Sequence, residues 1–186
     1  MARRLFVRIE VSALADAIGE VQAPFTRAAG IDPTDPDRAH VTLKFVGDTA
    51  TDRVPEIREA VERAVREADV GPFEARLGGL GVFPEFEYID VVWIGVPRGA
   101  TEMTRLHDAL EDRTTAIGVD PTDHEFTPHV TIGRMRHAGG KERVQELVAE
   151  RDPDVGTVSV EAVELTESHL TGDGPTYEVL DRIALE

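Results

Sequence analysis

Hydrophobic and polar positions alternate in several short stretches, which is the pattern of strands that bury one face. Strands are predicted at residues 6–11, 72–82, 89–96, 126–135, 155–166 and 177–183. Apolar residues at helical spacing predict amphipathic helices over residues 52–68, 101–117 and 141–150. Ser12 is expected to cap a short helix that ends at about Gly19 or a little beyond. The turn-rich stretch 29–39 is expected to be a loop.

One of these strand patterns occurs twice. Residues 40–43 have the sequence HVTL, and residues 129–132, about half a chain later, have the sequence HVTI. In each copy the histidine and the threonine share one face of the strand, while the apolar residues share the other. Continued alternation assigns Lys44 to the histidine face and Phe45 to the apolar face. Two such strands side by side would surround a small anion with imidazoles and hydroxyls, which indicates acid–base chemistry on a phosphate.

The order of elements predicts an α+β fold. The unit of strand motif, turn and amphipathic helix occurs in each half of the chain. Antiparallel sheets with helices on their outer faces would satisfy this pattern. We therefore expect residues 1–186 to form a single domain of two similar lobes, with the active-site cleft between the polar faces of the two sheets.

Composition narrows the classes of protein. Hydrophobic residues make up 41% of the 186 residues, which is enough for a substantial core. The absence of cysteine excludes disulfides, thiolate catalysis and cysteine-ligated metal centres. No apolar run approaches the roughly 20 residues of a membrane span. The opening MARRLFVRIEV lacks the apolar region of a signal peptide, so the expected protein is soluble and cytoplasmic.

The charge is unusual for a protein that binds nucleic acid. The net charge is −16, whereas polyanions are normally bound by basic patches. Lys44 and Lys141 are the only lysines among 20 basic residues. This acidic, lysine-poor composition indicates a protein adapted to molar salt, where the Debye length is only about 3 Å. An ordinary acidic protein is the alternative interpretation.

A metal site and catalytic roles for the other histidines are not expected. A metal site built on His40 and His129 would lack the usual carboxylate or third histidine, so no metal and no cofactor is expected. The other histidines considered are expected to be solvated: His107, His124 and His137. Phe86 and Tyr88 are candidates for stacking on bases, whereas Trp93 is assigned to the core.

Four segments together resemble one known family. They are the paired H-x-T motifs, the opening RLFVRIEV, the mid-chain GLGVFP with VVWIGV, and the C-terminal ESHLTGDGPTYEVL. The chain is similar to the two-histidine (2H) phosphoesterase superfamily, and within it to the RNA 2',3'-cyclic phosphodiesterases, historically called 2'-5' RNA ligases. Two positions depart from the family pattern, because Asp90 and His169 stand where a basic residue is usual.

The resemblance implies an activity and the roles of the two histidines, while the shared strand face assigns a role to the two threonines. The expected reaction is metal-free hydrolysis of 2',3'-cyclic phosphate ends of RNA to 2'-phosphomonoesters, with tRNA fragments as one candidate substrate. The resemblance makes His40 the proton donor and His129 the proton acceptor, two roles that the residues alone do not distinguish. Thr42 and Thr131 are placed to contact the phosphoryl oxygens.

Arg134 is the third expected phosphate contact, again by resemblance. Strict alternation would turn it away from His129, unless Gly133 allows a bulge or ends the strand. Two alternatives to hydrolysis remain open: ligation of RNA ends through a 2'-5' linkage at the same site, and binding of RNA ends without turnover. The protein is expected to be a monomer with no membrane partner.

Overall fold

The computed structural model describes residues 2–186, which form nine strands and four α-helices. The strands are β1 (Ala2–Glu10), β2 (Ile31–Pro33), β3 (His40–Ala50), β4 (Phe73–Glu85), β5 (Tyr88–Arg98), β6 (His129–Met135), β7 (Asp154–Val160), β8 (Ala162–Thr171) and β9 (Gly174–Ala184). The helices are α1 (Ala15–Gln22), α2 (Val54–Ala68), α3 (Ala100–Thr115) and α4 (Lys141–Glu150). Within residues 2–186, no helix combines the length and apolarity needed to cross a membrane.

The strands join into one antiparallel sheet. Its order is β7-β4-β5-β6-β3-β1-β8-β9, and β2 pairs with β6 beside this path. The half that contains β6 therefore has five strands, β2 included, and the other half has four; the halves meet where β3 lies against β6. The register at this junction consists of one residue pair, Val41 with Val130. The α+β prediction is confirmed, and the two antiparallel halves prove to be joined through this narrow seam.

The helices cover one face of the sheet. In β1, Leu5, Val7 and Ile9 are almost fully buried, because alternate side chains point into the core. Helix α2 buries its apolar stripe and packs against α3, which also contacts β3 and β5. Helix α1 contacts β6 and β7 in the other half. Burial of each large aliphatic side chain contributes about 1.5–3 kcal/mol to the free energy of folding. Most of the hydrophobic stabilisation therefore comes from the helix-covered face.

Several local predictions are corrected. Ser12 does not cap a helix with its side chain; it begins a 3-10 turn, and α1 starts at Ala15. The stretch predicted as a loop contains β2, a strand too short for alternation to reveal. The stretch 155–166 spans most of β7 and the first half of β8, which are separated at Glu161.

The alternation of β3 reverses in its middle. Arg8 of β1 pairs with Thr42, and Val7 pairs with Lys44, so that Leu43 is an extra residue of a β-bulge. Lys44 is consequently only 2% exposed, on the helix-covered face, whereas Phe45 is 67% exposed. The assignment of these two side chains from strict alternation is therefore wrong.

Candidate active site

The two H-x-T motifs lie next to each other at the junction of the sheet halves. His40 begins β3 and His129 begins β6. Because Val41 pairs with Val130 and both side chains are fully buried, their neighbours along each strand project from the opposite face. The structure thus brings together both histidines and both threonines of the predicted site, all partly exposed.

Both imidazoles are anchored in the same way. His40 Nδ1 lies 2.9 Å from the carbonyl oxygen of Arg38, and His129 Nδ1 lies 2.6 Å from that of Thr127. Since a carbonyl oxygen only accepts, each Nδ1 carries the proton and donates it. Neither Nε2 makes a hydrogen bond in the described part of the chain. A neutral ring therefore offers a lone pair at Nε2, and a protonated ring offers a donor there.

Aromatic rings confine His40. The centroid of Phe6 lies 5.3 Å from that of His40, and Tyr177 packs edge-on at 5.2 Å. Phe6 comes from β1 and Tyr177 from β9, so this enclosure depends on contacts between distant parts of the chain. Neither residue was among the predicted site residues, because local alternation identifies a face but not the neighbours that long-range pairing adds.

His129 has a corresponding enclosure. Phe83 packs edge-on against it at 4.9 Å, and Trp93 lies at 5.8 Å. The sequence pattern assigns Trp93 to the core, but the residue lies beside the candidate site. Its indole lies over Gly81, where a Cβ atom would be 2.2 Å from the ring. The second glycine of GLGVFP therefore leaves room for the indole that forms this side of the site.

Burial lowers the pKa of both histidines. Desolvation is the main reason that the pKa of His40 falls to about 4, while its hydrogen bond to Arg38 opposes the change. The nearby charges of Arg8, His129 and Arg134 lower it further. Desolvation is also the main reason for the lowered pKa of His129, with Arg134 contributing. Both rings are therefore neutral at pH 7 when no anion is bound.

A second β-bulge brings Arg134 to the same face. Trp93 pairs with Thr131 and Val92 pairs with Gly133, so Ile132 is the extra residue. This reversal carries Arg134 to the side of the histidines, and its charge acts on the pKa of both. Its guanidinium is exposed and has no hydrogen bond or ion pair among residues 2–186. Its five N–H donors are free for a ligand.

The threonine hydroxyls are also available. Neither Thr42 nor Thr131 uses its side chain in a hydrogen bond within the described residues. The backbone of Thr131 is held by Thr34, whose hydroxyl donates to the carbonyl oxygen of Thr131 at 3.0 Å. The site thus combines two imidazoles, two hydroxyls and a guanidinium. These groups can bind one anion and transfer protons at it.

A mostly buried ion pair, which sequence reasoning missed, adjoins His40. Arg8 Nε lies 3.1 Å from Glu164 Oε1, and the guanidinium lies 5.3 Å from the ring centre of Tyr177. Together with Arg38, these residues help to line an open cavity of about 350 Å³. A basic residue within the otherwise apolar segment 5–9 was the signal in the sequence.

The structure separates the other histidines into two kinds. His124 and His137 are exposed, as expected. His107 is only 7% exposed and its Nδ1 lies 2.7 Å from the carbonyl oxygen of Leu43, so the expectation of a solvated ring is wrong. The polar pattern of α3 hides this contact, because a buried histidine needs a partner that only tertiary structure supplies.

One group of three potential metal ligands exists among residues 2–186: Glu167, His169 and Glu178, with ligand atoms within 4.8 Å of one another. Glu178 directly follows Tyr177 in β9, so its side chain projects to the face opposite His40. Arg3 lies 3.5 Å from Glu167, which makes this group an ion cluster of the sheet's other face. The side chain of His169 thus lies on the face opposite the candidate site.

A family model supports the assignment of the site. The model of the 2'-5' RNA ligase superfamily, the 2H phosphoesterases, matches residues 11–172. The chain belongs to this superfamily. Its similarity to known members extends over most of their length. A protein of Aeropyrum pernix named RNA 2',3'-cyclic phosphodiesterase is 37% identical over 142 residues, covering 76% of this chain and 78% of that protein.

Further superfamily members agree in sequence and fold. A Methanothermobacter thermautotrophicus protein of the same name is 32% identical over 95% of this chain and 96% of its own length. A Thermus thermophilus protein of solved structure gives a TM-score of 0.78 at 27% identity, covering 98% of this chain and 97% of that one. Escherichia coli LigT, solved with 3'-AMP, shares the fold, with a TM-score of 0.79 at 22% identity over 100% and 99% of the two chains.

Proposed function

We propose that this chain is an RNA 2',3'-cyclic phosphodiesterase that opens terminal cyclic phosphates to 2'-phosphomonoesters. The names of its relatives in the superfamily support this activity. The observation that carries the proposal is the pair of imidazoles at the seam between β3 and β6. Each ring donates from Nδ1 to the scaffold and leaves Nε2 free on the same face, beside the unpaired Arg134.

The reaction needs one proton acceptor and one proton donor. His129 Nε2 takes a proton from water as the water oxygen forms a bond to phosphorus. The bond from phosphorus to the 3' oxygen breaks, and that oxygen takes the Nε2 proton of His40. His129 thus gains the proton that His40 loses, and exchange with solvent restores both rings. Each of these transfers typically contributes about 10²–10⁴-fold in rate.

Substrate charge makes His40 a competent donor. The cyclic phosphodiester carries one negative charge, which favours the protonated form of an imidazole beside it and raises its pKa. Arg134 and the hydroxyls of Thr42 and Thr131 would hold the two non-bridging oxygens. The two hydroxyls lie on short side chains of neighbouring strands, so they can stabilise developing charge with little reorganisation.

An aromatic surface beside this site suits the terminal base. Phe45 is 67% exposed, and its ring centroid lies 6.4 Å from that of Phe6, the neighbour of His40. Stacking on an exposed ring tolerates any base and contributes about 1–3 kcal/mol per base. Phe86 and Tyr88 are exposed at the tip of the β4–β5 hairpin and remain further candidates for stacking.

The direct test is hydrolysis of an oligonucleotide with a 2',3'-cyclic phosphate end, in molar potassium chloride with a chelator. The proposal expects turnover to a 2'-phosphomonoester, unchanged by the chelator. A second oligonucleotide with a 5'-hydroxyl end should be included, because a joined product would identify ligation by the same residues. Tight binding of the cyclic end without any product would instead favour the non-catalytic alternative.

The finer biological setting forms part of the same proposal. One chain of residues 1–186 supplies every proposed group, so we propose a monomer that acts in the cytoplasm on RNA ends such as those of tRNA fragments. Light scattering at working concentration tests the monomer, since a dimer mass would contradict it. Sequencing of the cyclic-ended RNAs that accumulate without the protein would test the substrates.

A further inference from the structure

One face of helix α3 packs against β3 on the side of the sheet opposite the candidate site. His107 and Glu111 lie one turn apart on this helix, and they point at the side of β3 opposite His40. The segment between α3 and β6, residues 116–128, contains no helix or strand. The same two side chains also contact this segment. They therefore touch both β3, which begins at His40, and the segment that precedes His129.

His107 makes two of these contacts. Its Nδ1 donates to the carbonyl oxygen of Leu43 at 2.7 Å. Leu43 is the extra residue of the β3 bulge, so the neighbouring strands do not pair with it. The His107 ring also stacks on Phe126, with centroids 4.2 Å apart and planes 4° apart. Phe126 precedes Thr127, whose carbonyl oxygen holds His129.

Glu111, one helical turn after His107, also connects β3 to the segment 116–128. Lys44, next to the bulged residue, donates to Glu111 at 3.0 Å and to the carbonyl oxygen of Asp120 at 2.8 Å. The backbone N–H of Thr122 donates to the other oxygen of Glu111 at 2.6 Å. Burial alone would raise the pKa of Glu111, but the hydrogen bonds from Thr122 and Lys44 outweigh it and the pKa is lowered. The carboxylate is therefore ionised and holds both partners.

We infer that His107 is a positioning residue for both His40 and His129. One hydrogen bond fixes the bulge that follows His40 and Thr42, and one stacked ring fixes the segment that orients His129. Since the strand register between the two motifs is a single residue pair, α3 supplies a further connection that sets their spacing, in addition to the contacts of β2 and Thr34 with β6. This inference rests on the proposed function, because the spacing matters to a reaction that uses both rings.

Two substitutions separate the contacts. His107→Phe retains a ring to stack on Phe126 but removes the donor to Leu43, together with the Nε2 atom that lies 3.9 Å from Glu111. His107→Asn places an amide N–H near the position of Nδ1 but removes the ring. We expect His107→Phe to lower kcat at least about tenfold with KM within about threefold, since small misplacements of reacting groups are costly. His107→Asn should recover part of this loss.

The controls distinguish positioning from stability. Asp108→Asn changes an exposed residue on the same helix turn and should leave kcat unchanged. Leu147→Ala removes a side chain of α4 that is 1% exposed, so it should destabilise the fold while kcat stays within about twofold. If His107→Phe and Leu147→Ala affected kcat equally at matched stability, the inference would be overturned.

A second readout does not depend on turnover. Ring signals of His40 and His129 in NMR spectra of His107→Phe should both shift, whereas those of Leu147→Ala should not. If the wild-type protein hydrolysed no cyclic phosphate, the proposed function would fail, and these spectra would still decide the positioning role. Unshifted signals of both rings in His107→Phe would contradict it.

Discussion

In both His40 and His129, Nδ1 is hydrogen-bonded to the backbone, whereas Nε2 is available to a ligand. A hydrogen bond to the carbonyl oxygen two residues earlier fixes the tautomer as well as the ring plane. The enclosing aromatic rings remove water, which keeps each imidazole neutral until an anion arrives. Both imidazoles are therefore neutral in the free protein, and the negative charge of the substrate favours protonation of His40.

The first prediction concerns the pH dependence of activity. kcat/KM reports the free protein, in which the pKa of His40 is about 4 and that of His129 is also lowered. The donor must be protonated, so kcat/KM falls as pH rises above its pKa. The acceptor must be neutral, so kcat/KM falls as pH drops below its own. The optimum of kcat/KM should thus lie below pH 6.5, the ordinary pKa of histidine.

In the substrate complex the bound anion raises both pKa values, so the optimum of kcat should lie at higher pH than that of kcat/KM. Initial rates measured from acidic to mildly basic pH at constant salt, as a function of substrate concentration, give both profiles. Coinciding optima at or above neutral pH would show that burial does not control these rings.

Arg134 provides the second prediction. Arg134→Ala should raise KM for the cyclic phosphate at least about tenfold, because charge-assisted hydrogen bonds to an anion are among the stronger ones. The pKa of His129 should rise at the same time, since the guanidinium now lowers it. Arg136→Ala is the matched control, because that exposed arginine is paired with Asp32. Steady-state kinetics and histidine NMR titrations give both quantities, and an unchanged KM would remove Arg134 from the site.

At the scale of elements, the local pattern predicted most helices and strands. It did not predict the bulge of β3, and it offered a bulge in β6 only as one of two possibilities at Gly133. Alternation assumes an unbroken pleat, and both strands that carry the H-x-T motifs break it at the fourth residue of the motif. The bulges bury Lys44, expose Phe45 and turn Arg134 to the site. The register that creates them depends on pairing with β1 and β5, which a local pattern does not contain.

The motif residues themselves were predictable, because two copies of one strand pattern place a histidine and a threonine on the same face. Their neighbours were not. Phe6, Tyr177, Phe83 and Trp93 come from four different strands and reach the histidines through long-range pairing. The same holds for His107, since the carbonyl oxygen it binds is exposed to it by the bulge.

Gly81 provides a prediction about the packing of β4 on β5. In Gly81→Ala the new methyl group would collide with the indole of Trp93, which must move away from its place beside His129. We expect a loss of about 1–3 kcal/mol in the free energy of unfolding and a lower kcat. Gly172→Ala is the control, since a Cβ there meets nothing within 4 Å.

The readouts are urea unfolding and the fluorescence of Trp93, which is the sole tryptophan of the chain. A changed emission spectrum together with reduced activity is the expected result. A Gly81→Ala protein with wild-type stability, emission and kcat would mean that the indole does not need the space above the glycine.

At the scale of the whole molecule, the charge of −16 must be reconciled with an RNA substrate. At about 1 M salt the Debye length is about 3 Å, so self-repulsion and repulsion of RNA are both screened. Contacts at hydrogen-bond distance, such as those proposed for Arg134 and the threonines, persist under these conditions. A compact polar site then binds RNA without a broad basic surface.

The protein should therefore melt at a markedly higher temperature in molar potassium chloride than in dilute buffer. Screening removes repulsion among the surface carboxylates, which the folded state suffers more than the extended chain. Thermal scans in both buffers, with sodium chloride as a second salt, provide the comparison. Equal melting temperatures would contradict adaptation to high salt and leave an ordinary acidic protein.

His40 and His129 together are proposed to open a cyclic phosphate by breaking only the bond from phosphorus to the 3' oxygen. Phosphorus NMR of the product from a cyclic-phosphate-ended dinucleotide tests it most directly, with the wild type, His40→Ala, His129→Ala and the double variant. His169→Ala is the control, because that histidine lies on the opposite face of the sheet. Wild type and control should give only the 2'-phosphomonoester, and each single variant should be slower by at least about 10²-fold.

The double variant should lose far less than the product of the two single losses, because the rings act as a unit. A 3'-phosphate or a mixture of isomers would contradict the donor and acceptor roles. Near-normal turnover by a folded His129→Ala protein would contradict the two-histidine mechanism itself.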